Sequence, residues 1–432
     1  MSTSSERAEA ARRSDPLDAA AQSRHRFELR ILVFTCAGHS LTHVFIHLFT
    51  AIQDEMRASF GLSDEGLTKL ASISLVLFGA GAIPAGWLSD RYGEKPLLVA
   101  FYVLSALGAL VIGLAPDTLT LGCGFAIVGL GTSIYHPVGL ALISKGLRRP
   151  GRGMGINGLF GSLGTAVSPL VAAGVTWWTD DWRWAFLVLT APTLLLGLAM
   201  GVCDFGGRLS IDAAQPPANI AKPGDGTPSR QPGERRALYR IVAWLLAAMA
   251  CGGVYYALVI TKLPELLAAN VESEFLERDV TKKTWLPFFV YLIGGASQII
   301  GGHLIDRRDG RGMYVVILLI AAPLIWALGR LHDAGLVGTA CAMAFFLFAV
   351  QPVENTLLAR YSPPALRGVV YGLKFVIVFG AGMGIGTWLS GRVAGHYGLG
   401  DVFTCAAVFA WTAAVFAIVA SAVRTNRREH RA

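Results

Sequence analysis

The sequence predicts an all-α membrane protein with twelve transmembrane helices in two six-helix halves. Of its 432 residues, 53% are hydrophobic and only 15% are charged, whereas soluble globular proteins carry about 25% charged residues. Twelve apolar runs are long enough to cross a bilayer. Segments in the first half of the chain also recur in the second half at a constant offset. The fold class rests on these three observations.

The spans follow from the rule that a membrane-crossing helix needs about 20 mostly apolar residues. We number them span 1 to span 12 in chain order. Their predicted ranges are 30–52, 67–89, 96–115, 119–144, 153–178, 183–203, 240–263, 284–305, 312–330, 335–359, 367–391 and 401–423.

Five parts of the chain follow from these spans: a disordered cytoplasmic tail, a six-helix bundle, a cytoplasmic linker, a second six-helix bundle and a second tail. They cover residues 1–26, 27–203, 204–239, 240–423 and 424–432, respectively. The linker contains "AAQPPANIAKPGDGTPSRQPG", a composition typical of flexible connections.

Basic side chains mark one side of the predicted membrane. Both tails and the loops after the even-numbered spans are rich in Lys and Arg, as in "LRRPGR" at 147–152 and "DRRDGR" at 306–311. The loops after the odd-numbered spans are acidic or balanced. The positive-inside rule therefore predicts that both termini are cytoplasmic, and we expect an integral protein of the bacterial inner membrane. This distribution explains the net charge of +8 without a nucleic-acid partner.

An internal repeat relates the two halves at an offset of about 215 residues. The segment "GWLSDRYGEKPLL" at 86–98 corresponds to "GHLIDRRDGRGMY" at 302–314, and "HPVGLALISK" at 136–145 corresponds to "QPVENTLLAR" at 351–360. Further pairs relate span 1 to span 7 and span 5 to span 11. We therefore predict a six-helix unit duplicated in parallel, as in transporters whose halves are related by an axis along the membrane normal.

The pattern Gly-x-x-x-Asp-Arg-x-Gly-x-Lys after span 2 resembles the cytoplasmic signature of the major facilitator superfamily. The resemblance implies a gate that holds the outward-open state by contacts across the two halves. The candidate gate residues, including the repeat partners, are Gly86, Asp90, Arg91, Gly93, Lys95, Asp306 and Arg307. Arg152 and Arg367 start spans 5 and 11, where they either pair with the two aspartates or mark the cytoplasmic edge.

Within that superfamily, "VGLGTSIYHP" at 128–137 and "GMGINGLFGSLGTAVSPLVAA" at 153–173 resemble the fosmidomycin-resistance-type exporters. Two positions depart from the family pattern. Val138 follows "HP" where the family usually has an acid, and His43 stands where it usually has an aspartate. Both departures bear on proton coupling and on the charge of the substrate.

Ionisable residues inside apolar spans are candidates for function, because such groups are costly in hydrocarbon unless they face protein or water. The resemblance implies that spans 1, 4, 7 and 10 line a central cavity. The candidates for substrate binding and proton coupling are His39, His43, His136, Glu354 and Lys374.

His39, His43 and His47 recur at every fourth residue, so they lie along one row of span 1. His136 in span 4 has about the depth of His39, which predicts a histidine cluster in the N-terminal half. Four roles remain open: proton coupling, binding of an anion or polar substrate, a transition-metal path, and a structural hydrogen bond. No cysteine or carboxylate clearly completes a metal shell at that depth, so we assign no metal ligand.

Glu354 in span 10 and Lys374 in span 11 have similar depths, which predicts an ion pair. The pair either fixes helix packing or carries a proton, since burial raises the pKa of a carboxyl group. Lys262 in span 7 is open to a simpler interpretation, in which it snorkels to the outer surface.

We therefore expect a monomeric, proton-coupled antiporter that exports a small polar antibiotic or metabolite by alternating access and thereby confers resistance. Its partners would be that molecule, protons and the bilayer, with no cofactor and no nucleic acid. An enzyme is not expected, because the "GxxxxGK[ST]" and "GxSxG" motifs and zinc-hydrolase signatures are absent. The alternatives are a His-lined carrier of a metal ion or small anion and, less favoured, a non-transporting sensor or scaffold.

Overall fold

The computed structural model describes residues 16–205, 232–272 and 279–424, and within these ranges the chain is helical without β-strands. Twelve helical segments are long and apolar enough to cross a membrane, as predicted. Their helices are Pro16–Ala51, Asp64–Tyr92, Glu94–Gly113, Thr118–Gly146, Pro150–Thr179, Arg183–Val202, Pro232–Asn270, Asp279–Ile305, Gly310–Leu328, Asp333–Tyr361, the pair Arg367–Phe375 and Met383–Tyr397, and Leu399–Ala422.

Three short elements complete the chain between these helices. The helix Gln53–Phe60 follows span 1, and the 3₁₀ turn Pro364–Leu366 precedes span 11. The π-helix Val376–Gly382 lies inside span 11 and joins its two α-helical parts. π-helices are rare and frequently occur at functional sites, so this part of span 11 is a candidate for function.

Local sequence explains where several spans begin. Asp117 caps span 4 by accepting a hydrogen bond from the Thr120 amide at 2.8 Å, and this bond lowers the pKa of the Asp117 carboxyl. Asp309 caps span 9 by accepting from the amides of Arg311 and Gly312. Gly93 has a φ of 89°, which lets the chain turn sharply between spans 2 and 3.

The boundaries of the predicted tail and linker need correction. Residues 16–26 are not a disordered tail but the first turns of the span 1 helix. They are held by Arg24, which pairs with Glu28 one turn later at 2.9 Å and donates to the Gly146 carbonyl oxygen at 2.7 Å. Residues 232–239 of the predicted linker belong to the span 7 helix, where Leu238 is buried. Residues 1–15, 206–231 and 425–432 lie outside the described ranges.

The two halves meet along two seams, one between spans 2 and 11 and one between spans 5 and 8. We call the end of the bundle where spans 2 and 8 finish the basic end. There the helix backbones almost touch, because a Cβ atom on Gly86 would overlap the Gly368 carbonyl and one on Gly302 would overlap the Gly151 carbonyl. Small residues at these positions permit this close approach.

Candidate functional site

Three of the predicted site histidines meet inside the N-terminal half. His39 and His43 lie one turn apart on span 1, with 3.2 Å between their Nε2 atoms. His136 comes from span 4, and its ring centroid lies 5.0 Å from that of His39 and 5.6 Å from that of His43. One ring nitrogen of each residue lies within 4.8 Å of the others. The predicted histidine cluster is thus confirmed as a geometric feature, while its role stays a prediction.

The orientation of His39 is fixed by span 5. Its Nδ1 lies 2.7 Å from the backbone carbonyl oxygen of Asn157, and a carbonyl oxygen only accepts hydrogen bonds, so Nδ1 is the donor. The Nε2 atom of a neutral His39 ring therefore presents a lone pair toward His43. The Asn157 side chain donates to the Tyr135 hydroxyl at 2.7 Å, and the Tyr135 ring stacks on His39 at 5.2 Å.

His47 continues the row outward from this cluster. Its ring is parallel to that of His43, with 6.0 Å between centroids, and it does not belong to the group of three whose nitrogens converge. His39 and His136 are buried, whereas His43 and His47 are partly exposed. The row therefore leads from the end opposite the basic end into the cluster.

Gly161 in span 5 is the residue that leaves room for the His39 ring, because a Cβ atom there would overlap it. We expect Gly161→Ala to displace the ring and to destabilise the protein by about 1–3 kcal/mol, the usual cost of overpacking. The measurement is the thermal unfolding midpoint in detergent. Gly174→Ala in the same helix is the matched control, because a Cβ there would meet no atom within 4 Å from the described residues beyond the nearby backbone of its own helix. Equal midpoints for the two variants would contradict the expectation.

His136 also connects the cluster to the C-terminal half. Its ring stacks on Phe375 of span 11 with 4.1 Å between centroids, and Phe375 stacks on Phe379 at 5.0 Å. Phe375 is the last residue of the first α-helical part of span 11, and Phe379 lies in the π-helix. A change in the shape of span 11 would therefore act directly on the His136 ring.

The predicted pair of Glu354 and Lys374 is present, with 3.0 Å between Lys374 Nζ and Glu354 Oε2. Both side chains are buried, with 5% of Lys374 and 8% of Glu354 exposed. Tyr314 donates its hydroxyl to the other carboxylate oxygen at 3.0 Å, and Lys374 also donates to the Asn355 side chain at 2.7 Å. The ion pair thus has hydrogen bonds on both sides, as a buried pair requires.

The two aspartates of the predicted gate bind across the seams in equivalent ways. The Asp90 carboxylate accepts from the backbone amides of Gly368 and Val369, both at 3.0 Å. The Asp306 carboxylate accepts from the amides of Gly151 and Arg152, both at 2.8 Å. Each aspartate therefore caps the first turn of a helix in the other half, where carboxylates are favoured.

The other predicted gate residues lie differently. Arg91 extends over the rings of Trp87 and Tyr92, and Lys95 donates to the Cys203 carbonyl within its own half at 3.0 Å. Arg307 is exposed. Gly86 and Gly93 contribute close approach and a turn, as described above. Of the sequence-predicted gate residues in the described ranges, the two aspartates make the polar contacts between halves.

The sequence left two alternatives for Arg152 and Arg367, namely pairing with the two aspartates or marking the cytoplasmic edge. Neither alternative fully describes their contacts. Arg152 contacts Asp306 through its backbone amide, and the Arg367 guanidinium donates across the seam to the Ser144 carbonyl at 3.3 Å. Lys262, away from the site, pairs with Glu265 at 2.9 Å, and Glu265 is half exposed.

Sequence reasoning missed several partners of the site. Lys145 pairs with Glu94 at 2.7 Å and with Asp90 at 3.3 Å, which adds two charges to the gate. Five polar partners went unassigned: Tyr135, Asn157, Tyr314, Asn355 and Glu94. The signal for most of them was a polar side chain beside a chosen candidate, as Tyr135 is beside His136 and Asn355 beside Glu354.

Comparison with known sequences identifies relatives of this chain. Residues 33–387 match the family model described as Major Facilitator Superfamily. The Fosmidomycin resistance protein of Escherichia coli (strain K12) is 25% identical over 395 residues, which cover 88% of this chain and 89% of that protein. The Multidrug resistance protein B homolog of Mycobacterium tuberculosis is 30% identical over 168 residues. That match spans only 38% of this chain and 31% of that relative.

Solved structures share the fold. The proton:xylose symporter XylE superimposes with a TM-score of 0.70 at 15% identity, covering 91% of this chain and 95% of that one. The transporter FucP in the outward conformation superimposes with a TM-score of 0.69 at 16% identity, covering 91% of this chain and 99% of that one. At these identities the likeness concerns the architecture alone. The predicted fold class is confirmed.

Proposed function

The chain belongs to the Major Facilitator Superfamily, and on that premise we propose that it is a proton-coupled exporter of a small polar antibiotic or metabolite. The family and the relatives identify a membrane transporter and not an enzyme. The finer proposal places it in a bacterial inner membrane with both termini in the cytoplasm. There it would work by alternating access as a monomer, with a small-molecule substrate and protons as partners.

The observation that carries the proposal is the buried pair of Glu354 and Lys374 beside the seam. The Glu354 carboxylate can either carry a proton or pair with the Lys374 ammonium group. Protonation of Glu354 would therefore release Lys374. Lys374 precedes Phe375, on which His136 of the other half stacks. Protonation in the C-terminal half would thus act on the histidine cluster of the N-terminal half through the packing of Phe375 against His136.

The contacts at the basic end support an orientation for the site. Hydrogen bonds join the two halves at Asp90 and at Asp306, both at the basic end. Farther along the seam between spans 5 and 8, Gln298 donates to Ser162 at 2.9 Å. If the basic end is cytoplasmic, as the positive-inside rule predicts, this arrangement is closed toward the cytoplasm. Transport would then require both aspartates to release their helices, which is a rocking motion of the two halves.

Efflux is favoured over uptake by the relatives whose names refer to resistance. The test is transport in proteoliposomes with an imposed pH gradient, using fosmidomycin and a panel of small polar compounds as substrates. We expect Glu354→Gln to abolish pH-driven flux and to retain substrate exchange at equal pH, because exchange needs no net release of a proton. The matched control is Glu265→Gln, which removes the carboxylate of a half-exposed residue that pairs with Lys262. Unchanged pH-driven flux in Glu354→Gln would contradict the proposal.

A further inference from the structure

We propose that His39, His43 and His136 form a binding site for a divalent first-row transition metal ion. The proposal adds a ligand to the cavity of the proposed transporter, and it rests on that function only for the idea that the cavity is a transport path. Binding itself is a property of the three side chains and can be measured without transport.

The first argument is the distance between the ligand atoms. Metal–nitrogen bonds of about 2.0–2.1 Å in a tetrahedral site place two ligand nitrogens about 3.3 Å apart. The Nε2 atoms of His39 and His43 are already 3.2 Å apart. A ring nitrogen of His136 lies within 4.8 Å of a ring nitrogen of each of the other two residues, which makes it the candidate third ligand.

The second argument is the orientation of His39. Histidines that bind metals almost always donate their other ring N–H to a carbonyl or carboxylate, which fixes the ring and directs the free lone pair at the ion. His39 makes this bond to the Asn157 carbonyl oxygen at 2.7 Å. Stacking on Tyr135 and the bare Cα of Gly161 hold the ring in this position.

The third argument is a polar atom of the cluster that lacks a partner. The Nδ1 atom of His43 is buried, and among the described residues it has no hydrogen-bond partner. Buried polar atoms are rarely left in this state in native proteins. This atom would gain a partner if His43 bound the ion through Nδ1 instead of Nε2, which a neutral imidazole can do.

The donor set indicates which metals would bind. Among the described residues the cluster consists of imidazoles alone, and these suit zinc, copper, nickel and cobalt better than calcium or magnesium. Phe78 and Phe375 contact the His136 ring and form an apolar wall. Three protein ligands leave one tetrahedral position open for water or for a polar donor of a bound molecule.

The test uses the full-length protein, purified with a tag that contains no histidine and stripped with a chelator. Titration with Co²⁺ alone is expected to produce the visible absorption bands of a four-coordinate ion at one ion per chain, and Zn²⁺ is expected to displace it. His136→Gln should weaken binding by at least about 100-fold, since loss of an outer-shell partner alone typically costs 10- to 100-fold. His396→Gln, on an exposed part of span 11, should bind as the unmodified protein does.

Gly161→Ala serves as a second variant, because it moves His39 without removing a ligand. It should weaken metal binding by about 10-fold or more. It also keeps the test valid if His136→Gln does not fold, a failure that circular dichroism would detect. Binding that survives both variants, no four-coordinate spectrum, or stabilisation by phosphate or sulfate but not by Zn²⁺ would each overturn the proposal. Metal binding without pH-driven transport would support the site and contradict the proposed function. pH-driven transport without metal binding would support the proposed function and contradict the site.

Discussion

Lys374→Met is expected to lower the free energy of unfolding by about 3–5 kcal/mol, the usual effect of removing one partner from a buried ion pair. Glu354 would keep its hydrogen bond from Tyr314 but lose the ammonium group at 3.0 Å. A carboxylate without a compensating charge in this buried position is strongly disfavoured. The measurement is the unfolding transition of the purified protein in detergent.

The double variant Glu354→Gln/Lys374→Met distinguishes structure from coupling. Replacing both partners removes the uncompensated charge, so most of the lost stability should return, while pH-driven transport should remain absent. Lys262→Met is the matched control, because the partner that it leaves, Glu265, is half exposed, so the loss of this pair should cost less than about 1 kcal/mol. If Lys374→Met costs no more than Lys262→Met, the buried pair does not hold the two spans together. If the double variant transports normally, the pair is structural only.

The fold was predictable because the bilayer imposes a simple rule. Each span needs about 20 apolar residues, and the repeat of "GWLSDRYGEKPLL" as "GHLIDRRDGRGMY" determined how the halves relate. The rule fails where a helix leaves the membrane, because polar residues there can still be helical. Residues 16–26 illustrate this, since the pair of Arg24 and Glu28 stabilises turns that composition alone assigned to a disordered tail.

The site was predictable where it depended on position along a helix. The spacing of His39 and His43, and the similar depths of Glu354 and Lys374, follow from 1.5 Å per residue. Contacts that depend on rotation about the helix axis, such as the ring of Tyr135 on His39, do not follow from one sequence. The π-helix Val376–Gly382 was also not predicted, because it changes the rotation of span 11 without a distinctive composition.

The gate shows a third limit, which concerns the partners of charged side chains. Sequence patterns display Asp90 and nearby arginines and lysines, and so they suggest ion pairs between side chains. In the structure Asp90 binds the amides of Gly368 and Val369 at a helix N-terminus, which no sequence pattern displays directly. Lys145 and Glu94 then neutralise each other beside Asp90. These backbone partners suit a reversible gate, because Asp90 keeps Lys145 at 3.3 Å when the helix end is released.

The largest conformational effect is expected from Asp90→Asn combined with Asp306→Asn. Each aspartate makes charge-assisted hydrogen bonds to two amides of the other half, and these bonds exist only while the basic end is closed. Losing the charge at a helix N-terminus costs about 1–2 kcal/mol, so each substitution should shift the ratio of closed to open states by roughly 10-fold. The sites lie on different seams, so the double variant should approach roughly 100-fold. Lys145 keeps Glu94 at 2.7 Å and is not left without a partner.

Spin labels at positions 148 and 366 report the shift from closed to open states. Arg148 and Leu366 are exposed on opposite halves at the basic end. The measurement is the distribution of distances between them in a background lacking the six native cysteines. The double variant should populate a longer distance that the unmodified protein rarely visits. Asp309→Asn is the matched control, because Asp309 caps a helix of its own half through the amides of Arg311 and Gly312. It should lower stability without changing the distances. The same distribution in the double variant and in Asp309→Asn would mean that Asp90 and Asp306 are ordinary helix caps and that the gate lies elsewhere.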